Sequence, residues 1–237
     1  MNYKNYGKNP SKGVLDLGNK RRIKADEFDD DEADPRYGLY VKRISVLDVD
    51  FHLNTSVQAP AMYNDFFQVL INADQDDNVR LWIDTDGGRI DSAMRILAAI
   101  RDTDANVTVI GCGRASSAGS IIFLRSDNVV VMPEMTMFIH SASYGVGGKQ
   151  GDIADSVQFS TTMLNKLLDE TYEGFLSSLE ISNLKMGKEF HLDADEIIQR
   201  LEAREKYYQA RKIKQEAEAK KQLKAPKPTP KTKAKSK

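Results

Sequence analysis

Between residues 79 and 140 the chain alternates short apolar, β-branched runs with segments of helical spacing, and it places glycine or other tiny residues at the joins. Val79-Arg-Leu-Trp-Ile-Asp84 reads as a buried strand, and a glycine turn leads from it into a helix over about Ile90 to Arg101. Val107-Thr-Val-Ile110 is the next strand, followed by a small-residue turn and a helix over about Ser117 to Ser126. Val129 to Met132 and Thr136 to His140 read as two further strands. Strands linked in series by helices stay in one sheet only through crossovers, so the pattern predicts an α/β domain with a largely parallel sheet. After Gly145-Val-Gly-Gly148 a long helix is predicted from about Asp152 to Leu179. Its positions 157, 164, 168, 172, 175 and 179 are Val, Leu, Leu, Tyr, Phe and Leu, a spacing that keeps to one helical face.

Charge divides the chain into three. Residues 1–24 carry seven positive and one negative side chain, residues 25–36 one positive and seven negative, and residues 204–237 thirteen positive and three negative. The remainder, 37–203, holds 13 positive and 24 negative, so a net charge of −1 conceals an acidic body and a basic tail. Residues 1–36 have no apolar period and read as a charged, disordered or partner-ordered extension. Residues 37–203 read as one domain without internal repeats. Residues 204–237 read as a basic helical stretch that passes into a Lys/Pro-rich disordered tail, Ala225 to Lys237. A basic tail can bind nucleic acid, but the body shows no basic groove or stacking motif, which favours a solvated extension. No apolar run is long enough to span a membrane, and no secretory h-region is visible, so a cytoplasmic address is expected. The single cysteine, Cys112, forms no internal disulfide and leaves no cysteine cluster for a metal.

Two turns carry chemistry, each where a strand meets a helix. Asp84-Thr-Asp-Gly-Gly-Arg89 pairs glycines that let a ligand approach backbone amides, although such turns are more often only turns. Gly113-Arg-Ala-Ser-Ser-Ala-Gly-Ser120 surrounds Ser117 with tiny side chains, and Ala115-x-Ser117-x-Gly119 is similar to a nucleophile elbow. Close helix–strand packing also demands small residues, and on this segment alone it is the better reading. Of the three histidines, His52, His140 and His191, only His140 ends a core strand directly before a glycine-rich segment, where its ring can enter a cleft. The acids available to it follow it in the chain, which argues against the Ser–acid–His order of α/β-hydrolases.

Taken together, Ile83-Asp-Thr-Asp-Gly-Gly88, Gly113-Arg-Ala-Ser-Ser-Ala118, Met137-Phe-Ile-His140 and Lys149-Gln-Gly-Asp152 resemble the Clp protease proteolytic subunit, in the family's order and with similar separations. The resemblance runs from about Val41 to Leu201. It implies a crotonase-like α/β fold whose long helix forms a handle between stacked rings. It implies peptide hydrolysis without metal or organic cofactor, with Ser117 as nucleophile, His140 as general base and the amides of Gly88 and Ala118 as the oxyanion hole. Peptide or unfolded protein would lie extended beside Gly87, Ser143, Gly145 and Gly147 by strand addition. Homo-oligomeric rings and an AAA+ unfoldase are the implied partners. Anchoring on Leu192-Asp-Ala-Asp-Glu196 puts Glu189 where the family carries its catalytic aspartate, with Asp193, no acid at all, or a Lys188 amine beside Ser117 as alternatives. Trp82 falls where the family uses an aromatic to dock its unfoldase. Asp84-Thr-Asp replaces the family's Asn-Ser-Pro, and the family's Gly-Leu-Ile-Asp domain ending is absent. A non-catalytic ring or scaffold subunit, a phage head-maturation protease and the acyl-CoA chemistry of the crotonase group stay open as alternatives.

Overall fold

The structure, a computed structural model, describes residues 2–5 and 46–224, with side chains over 46–217. Among them seven strands form one sheet: β1 (Asn2–Asn5), β2 (Asp48–Leu53), β3 (Asn78–Thr85), β4 (Asn106–Ser116), β5 (Asn128–Val131), β6 (Thr136–Ile139) and β7 (Phe190–Leu192). Strands β1-β5-β4-β3-β2 lie side by side and pair in parallel. Beyond them β6 runs parallel to the end of β4, and β7 returns antiparallel to β6. The helices are α1 (Asn64–Asn72), α2 (Ile90–Asp102), α3 (Ala118–Leu124), α4 (Gln150–Tyr172), α5 (Ser178–Lys185) and α6 (Ala194–Lys224).

Alternation along β3 shows how the layers form. Val79, Leu81, Ile83 and Thr85 are buried in the core, where Phe66, Phe67, Ala93, Ile96 and Ile122 also lie. The intervening Arg80, Trp82 and Asp84 stand on the opposite, more open face, so β3 is buried on one side. On that open face Asp50 accepts from Arg80 Nε at 2.6 Å and Trp82 Nε1 at 2.7 Å, and those two donors hold its carboxyl well below the usual carboxylate range.

Two elements depart from expectation. Strand β4 continues to Ser116 instead of stopping at Ile110. It does so through a bulge: Ile83 pairs with Gly111 but Thr85 pairs with Ala115, so two steps on β3 match four on β4. The Asp84 carboxylate fills the bulge and accepts the Arg114 amide at 2.8 Å. A Cβ on Gly113 would collide with that carboxylate. The extra length lets β4 pair with β5 through Val109–Gly111 and with β6 through Arg114–Ser116.

The second departure is the long helix, which is two. Helix α4 ends at Tyr172, Gly174 takes φ +76°, and Ser177 opens α5 with a capping box closed by Glu180. Leu168, Tyr172 and Phe175 are buried as the spacing predicts, whereas Val157 and Leu179 lie exposed. Helix α6 runs unbroken across residue 204, where the tail was set apart. Of the charged N-terminal extension, Asn2–Asn5 pair in parallel with β5. The rest of 1–36 and the Ala225–Lys237 tail lie outside the described residues. No described helix is long and apolar enough to cross a membrane.

Candidate active site

The C-terminal ends of β3, β4 and β6 meet at one edge of the sheet, the place where open α/β sheets bind ligands. Ser117 leaves β4 at φ 51°, ψ −116°, and among the described residues it is the one non-glycine with positive φ. Holding a serine there costs on the order of 1–3 kcal/mol. Two contacts impose the bend: the Ser117 amide donates to the Phe138 carbonyl of β6 at 2.8 Å, and its own carbonyl receives the first turn of α3. Ser116 and Ser120 are buried, while Ser117 is half-buried at the corner.

The glycine turn stands against this corner. Gly87 (φ +92°) is buried so closely that a Cβ on it would lie 2.6 Å from the Ser116 carbonyl oxygen and from Ser117 Cβ, and 3.0 Å from the Ala118 nitrogen. Gly88 (φ +145°) is bridged to Val57: the Val57 amide donates to the Gly87 carbonyl at 2.8 Å and the Arg89 amide to the Val57 carbonyl at 3.0 Å. Those two bonds flank Gly88 and leave its own N–H without a protein acceptor among the described residues. Ala118, the first residue of α3, is in the same state because an opening helical N–H has no partner in its own helix. Among the described residues two backbone donors are thus without an acceptor: Ala118, next to Ser117, and Gly88, one residue past the Gly87 that packs on it.

His140 follows the last residue of β6 and is half-buried. Its ring stacks on Phe138 at 5.0 Å, and Phe138 stacks on His191 of β7 at 4.5 Å. The β6–β7 register pairs Phe138 with His191 and Ile139 with Phe190. The pairing ends there: His140 lies one residue past β6 and Glu189 one residue before β7, and among the described residues no hydrogen bond or ion pair joins them. Glu189 is exposed. Asp193, the rival acid, accepts the Glu196 amide at 2.9 Å and so caps α6. Lys188 lies over the Phe190 ring at 5.3 Å. Among the described residues the Ser117 hydroxyl and the His140 ring are not hydrogen-bonded to each other, a bond that free enzymes often leave long.

Residues 141–149 carry no regular structure, and from Ser143 onward they are exposed. Gly145 and Gly147 have open space where a Cβ would stand. Tyr144 ties the segment to α4 through Thr161 at 2.9 Å. Three features were not singled out from sequence: Phe138 against His140, His191 against Phe138, and the bond between Ser120 and Tyr172. A serine three residues after Ser117 was visible, but nothing in the chain ties it to a tyrosine 52 positions on. Among the described residues no three His, Cys, Asp or Glu side chains come together as a metal site.

Comparison with known proteins bears on the family of the chain. The family model for Clp protease matches residues 47–205. The chain is 30% identical over 102 residues to an ATP-dependent Clp protease proteolytic subunit of Paracoccus denitrificans, covering 41% of this chain and 51% of that protein. It is 27% identical over 127 residues to subunit 2 of Pseudomonas aeruginosa, 52% of this chain and 63% of the other. With subunit 3 of Rhizobium meliloti it shares 28% over 107 residues, 43% and 55% of the two chains. The matched region thus spans from about half to just under two-thirds of these relatives' length.

Proposed function

The chain belongs to the Clp protease family, and from that premise we propose that it is a serine endopeptidase subunit of a ring-forming, self-compartmentalising protease. The observation that carries the reading is the strained corner at Ser117, against which Gly87 packs, with the Ala118 and Gly88 amides lacking an acceptor among the described residues. A hydroxyl raised on such a corner is open to a carbonyl carbon, and two N–H donors await the oxyanion that forms. His140 takes the Ser117 proton as the hydroxyl attacks and returns it to the leaving amine; water then repeats the exchange on the acyl-enzyme. Glu189, which stands just before β7, is the acid that holds the imidazole tautomer in this reading. Extended peptide lies along the exposed Ser143–Gly148 segment, whose backbone has no sheet partner to displace.

Assembly belongs to the same reading. Phe159 and Met163, one helical turn apart on α4, stand exposed, an apolar patch suited to a ring-to-ring contact. Substrates are then peptides and unfolded proteins, an AAA+ unfoldase supplies folded ones, and the assembly works in the cytoplasm. A second reading, a ring subunit without catalysis, is favoured by the unjoined Ser117 and His140 side chains. Labelling with a fluorophosphonate separates the two. The protein is expected to label and Ser117→Ala is not, while the absence of any labelling would leave the non-catalytic reading standing.

A further inference from the structure

Resting on the reading of Ser117 as nucleophile, we propose that Ser120 and Tyr172 are positioning residues that aim the Ala118 N–H at the oxyanion. A peptide group is planar and trans, so its C=O and N–H point in opposite directions and turn as one body. The group that carries the Ala118 N–H has the Ser117 carbonyl at its other end. That carbonyl accepts three bonds: from Ser120 Oγ at 2.7 Å, the Ser120 amide at 3.0 Å and the Ile121 amide at 3.3 Å. The shortest comes from a side chain, and that side chain is itself held. Ser120 Oγ lies 2.8 Å from the Tyr172 hydroxyl at the end of α4.

A serine hydroxyl has one proton. With that proton on the Ser117 carbonyl, Tyr172 must be the donor to Ser120. The tyrosine keeps its proton for this, since burial pushes its hydroxyl up to about 12. Both side chains are almost wholly buried, so no water competes for either bond. The chain of donors runs Tyr172 to Ser120 to the Ser117 carbonyl, and each bond polarises the next. Electron density drawn toward that carbonyl oxygen leaves the Ala118 N–H a stronger donor as well as a fixed one.

Steady-state kinetics on a short peptide, together with inhibition by a peptidyl boronic acid whose tetrahedral adduct fills the oxyanion hole, tests the proposal on the full-length chain. Ser120→Ala is expected to lower kcat about tenfold, part of the 10²–10³ that loss of a whole donor costs. KM should be unchanged and boronate affinity should fall by the same factor. Tyr172→Phe keeps the ring and should lower both quantities less. The double variant should match Ser120→Ala, because the tyrosine acts only through the serine. Unchanged kcat in Ser120→Ala, a fall in kcat without a fall in boronate affinity, or additive effects would overturn the proposal. If Ser120→Ala fails to fold, Tyr172→Phe carries the same comparison. If wild type neither labels with fluorophosphonate nor differs from Ser117→Ala, the nucleophile assignment has failed and this proposal with it. An active, labelled wild type beside an unimpaired Ser120→Ala defeats this proposal alone.

Discussion

Ser117 stores backbone strain that only its surroundings can hold, and the residues about it have correspondingly little freedom. Ser117→Ala removes only the hydroxyl, so peptide hydrolysis should vanish while thermal unfolding stays close to wild type. Gly87→Ala is a harsher change at φ +92°, because its Cβ would push into the Ser116 carbonyl and Ser117 itself. Circular dichroism should show a loss of at least about 1 kcal/mol, the scale of a side chain forced into that backbone region, together with severe loss of turnover. The acids give a sharper test. Glu189→Gln should depress kcat by up to about 10⁴ by favouring the wrong His140 tautomer, whereas Asp193→Asn, which retains an oxygen to cap α6, should leave turnover near wild type. Reversal of that pair would remove Glu189 from the site.

Helix α5 and the start of α6 are joined by charge. Arg200 reaches Glu180 at 3.0 Å and Glu196 at 2.9 Å, and Glu180 also closes the Ser177 capping box. Led by the Arg200 hydrogen bond, these contacts lower the Glu180 carboxyl from 4.5 to about 2. A lowered folded value stabilises the protein fully above about pH 4.5 and ceases to do so as the pH falls to about 2. Glu180→Gln should therefore cost about 1–2 kcal/mol near neutrality, allowing for screening of a partly exposed pair. The deficit should close between pH 4.5 and pH 2 in denaturant titrations. The break before α5 has its own support: Glu173, just past α4, receives Arg211 at 2.8 Å and Tyr207 at 3.0 Å from α6. Arg204, buried in the same helix, donates to the Leu124 carbonyl at 2.7 Å and so closes the end of α3. The basic stretch from residue 204 begins as part of the domain's packing.

At the scale of the whole molecule Phe159 and Met163 leave an apolar patch exposed on α4. Phe159 is 68% exposed, which is costly for a side chain of that size unless another copy covers it. Phe159→Glu should shift the particle to smaller mass in light scattering and lower peptide hydrolysis with it. The ring reading fails if wild type is a fully active monomer at micromolar concentration. Removal of Ala225 to Lys237 should leave peptide hydrolysis unchanged, since that stretch has no apolar face with which to support the site. Removal from residue 204 onward should not be silent, because it takes Arg204, Tyr207 and Arg211 from their partners.

Short-range chemistry was legible in the chain, because it depends on neighbours in sequence. Runs of valine and isoleucine marked the strands, paired glycines marked a turn that needs positive φ, and tiny residues around Ser117 marked a tight corner. The helical spacing through 168, 172 and 175 was real, yet it ran on past Gly174 because a periodic pattern does not register a reversal of the backbone. Only the tertiary structure lengthened β4, since a bulge forms against a particular partner, here Asp84. Only the tertiary structure laid Phe138 against His191 across β6 and β7 and gave Asp193 to the α6 cap. The Tyr172–Ser120–Ser117 chain is of the same kind: its members are dull singly, and the packing of α4 on α3 makes them a unit by closing a gap of 52 residues to 2.8 Å. Sequence determines which groups are available and what local backbone they favour; contact between distant groups is decided by how the layers pack.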